Sequence, residues 1–149
     1  MNLFDELMAL VAELDGAGVE YALIGGLAVA VWGVPRATKD IDLLVLPDAI
    51  ERAKEAAARR GFVLSAGPIK FRDGVSIERV RRVRDGALLT VDFMLVNEGL
   101  TAAWASRLQL RAVERSLTVV SRDALMAMKL AAARPQDIAD VEKLRDLDR

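Results

Sequence analysis

The chain's 149 residues include no histidine and no cysteine. Without an imidazole there is no Ser-His-Asp or Cys-His nucleophile system. Cys/His zinc sites, disulfide frameworks and thiol redox chemistry go with them. Aromatics are only 5% of the chain, so the core has to be aliphatic. Charge of one sign is lacking too: 21 Lys and Arg stand against 22 Asp and Glu, a net charge of -1. That balance gives no global pull toward nucleic acid or membrane. No apolar run reaches the ~18 residues that span a bilayer. The opening segment MNLFDELMALVAELDG mixes acids into its apolar pattern and has no basic leader. A cytoplasmic protein with no membrane partner is therefore expected. What remains for catalysis is carboxylates, Lys, Arg, hydroxyls, backbone amides or a hard metal held by oxygen.

The hydrophobic fraction of 53% argues against disorder. With no internal repeat or low-complexity linker, one domain over residues 1–149 is expected, its core about 19–120 and a helix pair about 121–147. Leu3, Leu7, Leu10, Val11 and Leu14 at helical spacing predict a helix over 2–15. A strand over 19–24 runs into Gly25-Gly26, and 27–32 reads as a short helix closed by Gly33 and Pro35. A strand follows over 39–46, then a helix capped by Asp48 and running through Arg60. Residues 62–64, 69–71 and 76–83 read as short strands, and 87–96 as a long one. Residues 100–105 suggest one or two helical turns, and 107–113 and 116–120 a last pair of strands. Ser121 caps a helix to about Ala133, and Pro135 opens another that runs to the end.

Asp40 and Asp42 are two residues apart in an otherwise apolar strand. Side chains alternate across a sheet, so both carboxylates share one face, with Cα atoms roughly 6–7 Å apart. At that spacing two acids can flank a hard divalent cation through oxygen. Alternatively they sit at the strand's start facing water, or pair with Arg36 and Lys39. Asp92, again mid-strand, would join them if its strand lies beside theirs; otherwise it is a buried acid satisfied by an arginine. Gly25-Gly26, between a strand and a helix, leaves backbone N–H groups free and lets a phosphate approach closely, or else is a tight turn.

The run Leu23-Ile-Gly-Gly-Leu-Ala, with Arg36-Ala-Thr-Lys-Asp-Ile-Asp42 and Leu89-Thr-Val-Asp-Phe-Met94, resembles the signature of the polymerase-β-type nucleotidyltransferase superfamily. The form Arg-x-Thr-x-Asp-Ile-Asp is similar to one branch, the abortive-infection type IV toxin nucleotidyltransferases. The C-terminal run from Asp123 to Asp140 resembles that branch as well. The resemblance implies an α+β fold, a mixed β-sheet flanked by helices with a C-terminal helix pair. It also implies transfer of a nucleoside monophosphate from an NTP to a hydroxyl acceptor, RNA such as tRNA first, in a toxin–antitoxin or defence setting. A small-molecule, antibiotic-type nucleotidyltransferase and a non-catalytic nucleotide- or partner-binding module are the competing readings.

Carried onto this chain, Asp40, Asp42 and Asp92 would hold Mg2+, or Mn2+ in its place, in a two-metal site, with Asp92 also helping to deprotonate the acceptor. Gly25 and Gly26 would cradle the triphosphate with Arg36 and Thr38 beside them. Lys129 would neutralise phosphate charge, with Asp137 and Asp140 holding it or touching substrate. Gly26 stands where many members have serine. The helical part after Lys129 is short, so a homodimer or a cognate antitoxin is an expected partner for completing the acceptor surface.

Residues 70–84 hold Lys70, Arg72, Arg79, Arg81, Arg82 and Arg84 against Asp73 and Glu78, a local charge of +4. Such a stretch either guides RNA or triphosphate or is a solvated strand edge protected against aggregation. Trp32 and Trp104 read as core or interface residues.

Overall fold

The computed structural model describes residues 2–112 and 115–147. Seven strands form one mixed sheet. In chain order the elements are α1 (Leu3–Gly16), β1 (Ala22–Ile24), α2 (Gly25–Val31), β2 (Asp40–Val45), α3 (Ile50–Ala58), β3 (Leu64–Lys70), β4 (Ser76–Arg84), β5 (Ala87–Leu95), α4 (Thr101–Ala105), β6 (Leu108–Ala112), β7 (Arg115–Val119), α5 (Arg122–Ala132) and α6 (Pro135–Asp146). The strand order is β3-β4-β5-β2-β1-β7-β6. The central pairs β2/β5 and β1/β7 are parallel, and β1/β2 and the outer hairpins are antiparallel. This is the α+β class that the sequence implied.

Period-two alternation gives the sheet two different faces. Ile41 and Leu43 on β2, Val91 and Phe93 on β5 and Val80 on β4 are at most 2% exposed. They share the face that α1 and α3 cover. Leu7, Leu10, Val11 and Leu14 of α1 are all fully buried there, and the small Ala53, Ala56 and Ala57 of α3 are too. The opposite face carries Asp40, Asp42 and Asp92 toward α5 and α6. The N-terminal helix is held at its start by Asn2, whose Oδ1 accepts from Phe4 N at 2.7 Å. Ser121 caps α5 as expected, its Oγ accepting from Ala124 N at 3.0 Å.

Several boundaries differ from the sequence reading. The second helix starts at Gly25, not Leu27, so both glycines lie in its first turn. Asp48 sits inside a short 3-10 turn over Pro47–Ala49 and caps nothing; α3 ends at Ala58, short of Arg60. The expected strands 62–64 and 69–71 are one irregular strand, β3, whose pairing with β4 shifts between Ala66 and Ile69. Phe62 belongs instead to the core, 1% exposed. The last residue of the expected strand 107–113 and the end of the final helix lie outside the described residues. Trp32 donates from Nε1 to the Val120 carbonyl at 3.1 Å and packs, like Trp104, against the core. Among the described residues, no helix is long and apolar enough to cross a membrane.

The basic stretch is not one edge. Alternation along β4 sends Arg79 to the carboxylate face and Arg82 to the helix-covered face. There Arg82 Nη1 lies 2.9 Å from Glu6 Oε2 and donates to the Arg60 carbonyl at 3.0 Å, with its guanidinium over Phe62. Glu6 and Arg82 are 5% and 6% exposed. The hydrogen bond from Arg82 outweighs the cost of burial and holds the Glu6 carboxyl below its ordinary range. A depressed carboxyl stabilises the fold above its unfolded value of about 4.5, and the gain is lost as pH falls through the folded value. Glu6→Gln should therefore cost about 3 kcal/mol at pH 7, because a buried guanidinium loses its counter-charge. Urea titrations from pH 7 to pH 3 should show the gap between the two proteins closing as the pH drops.

Candidate active site

Strands β2, β4 and β5 and helices α2, α5 and α6 make the site. The parallel register of β2 and β5 pairs Asp42 directly with Asp92, and Asp40 precedes by one same-face step. The three acids open into a cleft of about 350 Å3 walled by Gly25, Arg79, Met94, Met128 and Lys129. The strand exits at Ile24, and Gly25 turns the chain into α2 with φ +73°. That conformation suits glycine, and a Cβ there would fall inside contact distance of Asp42 Oδ2. Asp42 thus has its place because Gly25 has no side chain. Gly26 is constrained by space alone: a Cβ would lie 2.8 Å from Thr38 Oγ1 and 3.1 Å from Arg36 Nη1. The Thr38 hydroxyl occupies the space that a serine at position 26 would need.

Asp42 is the strained member. Burial, then the charges of Asp92 and Asp40, push its carboxyl up to about 7, against the opposing pull of Lys129 and Arg79. Asp92, 7% exposed, is instead paired: Arg79 Nε donates to Oδ1 at 2.7 Å and Nη2 to Oδ2 at 3.0 Å. The arginine alternative for Asp92 and the shared carboxylate face therefore both hold. With Asp92 turned to Arg79, no three acids among the described residues are already gathered as a metal centre. The donor set nevertheless fits a hard divalent cation. It consists of oxygen alone, and a desolvated, mutually repelling carboxylate needs more positive charge than it has.

Across the cleft, α5 and α6 carry a closed ion cage. Lys129, 7% exposed, has Nζ 3.2 Å from Asp137 Oδ1 and 3.2 Å from Asp140 Oδ2. Asp137 and Asp140 have no exposed surface. Arg134 Nε donates to Asp137 Oδ2 at 2.7 Å, Arg36 Nε to Asp140 Oδ1 at 3.1 Å, and Gln136 Nε2 to the same oxygen at 2.9 Å. Burial raises both acids, but these donors outweigh it and hold each below the usual carboxylate range. Three cations on two carboxylates leave this wall net positive. Arg36, expected beside a triphosphate, is committed to Asp140, although it also borders Gly26.

Arg79, Arg134 and Gln136 were not among the expected site residues. Arg79 has a signal in the sequence. Asp85-Gly86 is the two-residue turn of a hairpin, with φ of 52° and 77°. Arg79 stands six residues before it and Asp92 six after, so the turn alone sets them opposite. Arg134 likewise stands three before Asp137, the spacing at which an acid in a helix's first turn reaches back to the chain; Arg134 N donates to Asp137 Oδ2 at 3.2 Å.

An acid with a raised pKa costs the fold stability once it ionises, a penalty that grows above pH 3.8 and is complete above about 7. At pH 8 without divalent ions, Asp42→Asn should stabilise the protein by about 1–3 kcal/mol. Saturating Mg2+ should raise the melting temperature of the native chain and leave that of the variant unchanged. Calorimetry with and without Mg2+ reads both effects.

No protein-family model and no curated protein matches the chain. Solved structures do. A Thermotoga maritima protein with a provisional nucleotidyltransferase assignment superposes with a TM-score of 0.67 at 16% identity, over 99% of this chain and 94% of that one. A lincosamide antibiotic adenylyltransferase with lincomycin bound gives 0.66 at 14%, covering 95% of each. ANT(2″)-Ia with adenylyl-2″-tobramycin gives 0.63 at 15%, over 94% of this chain and 85% of that one. The likeness is one of architecture, and it spans nearly the whole chain: this protein has the α+β fold of nucleotidyltransferases.

Proposed function

We propose that the protein is a Mg2+-dependent nucleotidyltransferase that joins a nucleoside monophosphate from an NTP to a hydroxyl on a small molecule. The observation that carries this reading is the in-register pairing of Asp42 with Asp92, with Asp40 on the same face, opposite a net-positive wall. In the reaction the acceptor oxygen attacks the α-phosphorus, the bond from that phosphorus to the bridging oxygen breaks, and pyrophosphate leaves. Asp40, Asp42 and Asp92 would hold divalent cations, which would supply positive charge to stabilise the displacement at phosphorus. Asp92 accepts the acceptor's proton as the new bond forms. Lys129, fixed by Asp137 and Asp140, faces the negative charge of the phosphates. Gly25 borders the cleft at the start of α2, where the triphosphate would lie, and Gly26 is buried behind it against Thr38 and Arg36. Catalysis of this kind is positioning and charge stabilisation, and it requires no histidine.

Two features favour a small acceptor over RNA. The cleft continues into a groove of about 680 Å3 lined mostly by apolar residues, Phe71, Val75, Ile77 and Met128 among them, with Arg72 and Arg134 also on its wall. Mostly apolar walls suit a compact organic body better than a phosphate backbone. The basic stretch that would have guided RNA spends Arg79 on Asp92 and Arg82 on buried Glu6. Two of the similar structures hold antibiotic ligands.

The test supplies each α-labelled NTP with Mg2+ and, in parallel, total tRNA or a panel of hydroxylated antibiotics. Label should move to a small molecule with release of pyrophosphate, and Asp42→Asn should lower the rate on the order of 10²–10³-fold. Label in tRNA alone would restore the RNA reading. Tight NTP binding with no acceptor labelled would favour a binding module.

A further inference from the structure

Arg79 stands where the reaction has no use for it. Its fork takes both oxygens of Asp92, the acid that must turn to a cation and to the acceptor's proton. A planar guanidinium on a carboxylate is a strong pair, and here it forms on a carboxylate with 9% of its side chain exposed. The arginine itself is 29% exposed and lines the cleft, so it has a path to swing away that Lys129, at 8%, lacks.

Resting on the function proposed above, we infer that Arg79 is an exchangeable counter-charge. It neutralises Asp92 while the site is empty and passes to the phosphates of the nucleotide when the cations arrive. The charges require an exchange of this kind. Asp40, Asp42 and Asp92 share one face of the cleft, where Arg79 takes both oxygens of Asp92 and Lys129 is already held by Asp137 and Asp140. Divalent ions supply the missing charge and repel the guanidinium from Asp92. The triphosphate brings a fresh anion within reach of a long, half-free side chain. Arg79 is then a positioning residue that links two binding events. Ions entering alone must compete with it for Asp92. Ions entering with nucleotide do not, because the phosphates take it. By linkage each ligand tightens the other, and removing the arginine removes much of that coupling.

This assignment predicts opposite signs for two affinities, which a purely structural cross-strand pair would not give. Binding of Mn2+ is measured by electron paramagnetic resonance of the free ion, alone and with an α,β-methylene NTP analogue. Arg79→Ala should bind Mn2+ alone at least about tenfold more tightly than the native chain. The same variant should bind the analogue, in saturating Mn2+, at least about tenfold more weakly. Arg79→Lys keeps the charge but loses the fork, so its analogue affinity should stay near native while Mn2+ alone binds more tightly. Weaker or unchanged binding of Mn2+ alone by Arg79→Ala would overturn the inference. Should that variant not fold, as judged by circular dichroism, native Mn2+ affinity in Arg79→Lys overturns it instead. If the native chain binds neither Mn2+ nor the analogue, the function itself fails and this inference with it. If it binds both and the variants match it, only the exchange fails.

Discussion

Everything at the centre of this protein follows from one constraint: carboxylates sit on an apolar sheet and cannot be left unpaired. Burial and two neighbouring acids act on Asp42 together, and its carboxyl is pushed to about 7. The strand can bear that cost because its other residues outweigh it. Ile41, Leu43, Leu44 and Val45 are fully buried, and each contributes about 1.5–3 kcal/mol by leaving water. The glycine before α2 belongs to the same constraint, since any side chain at position 25 would meet Asp42 Oδ2.

How much of this was legible in the sequence depended on the range of the interaction involved. Asp40 and Asp42 could be placed on one face because strand alternation is local, and Ser121 could be named as a cap for the same reason. The juxtaposition of Asp42 and Asp92 was conditional: two parallel strands need a long crossover, and no local pattern states which strand lies beside which. The cage of Lys129, Asp137 and Asp140 was worse placed still. Helix periodicity alone marks these as solvated charges, yet they are 7%, 0% and 0% exposed, because two helices turn them toward each other. Only the family resemblance pointed there. Thr38 filling the space beside Gly26 was out of reach as well, since it depends on the path of an irregular loop.

The basic stretch teaches a different lesson. Its charge of +4 is a property of a string, whereas electrostatics acts on faces. Alternation along β4 divides neighbours between opposite sides of the sheet, so Arg79 enters the candidate active site and Arg82 enters a buried pair with Glu6. Two hydrogen-bonded strands and one short turn convert a patch that looked continuous into two separate structural roles. The information for this was present in Asp85-Gly86, whose positive φ values fix the hairpin and hence the register.

Lys129 and Arg79, two of the cations that line the cleft, are built for opposite tasks. Lys129 lies between two acids that are themselves held by Arg134, Arg36 and Gln136. Moving it would break two buried ion pairs at once, leaving each acid only its other donors, and that opposes its departure. Arg79 answers to a single acid and keeps part of its side chain in water, so its departure costs less and can be offset by one new phosphate contact. A site that must hold its charge through substrate binding gains from a locked cation. A site whose acids must be neutral before the ions arrive and free afterwards needs a movable one. With no histidine in the chain, the movement of a permanently charged group is one means of adjusting the charge of the site. A two-residue turn that puts arginine opposite aspartate is a small device sufficient for it.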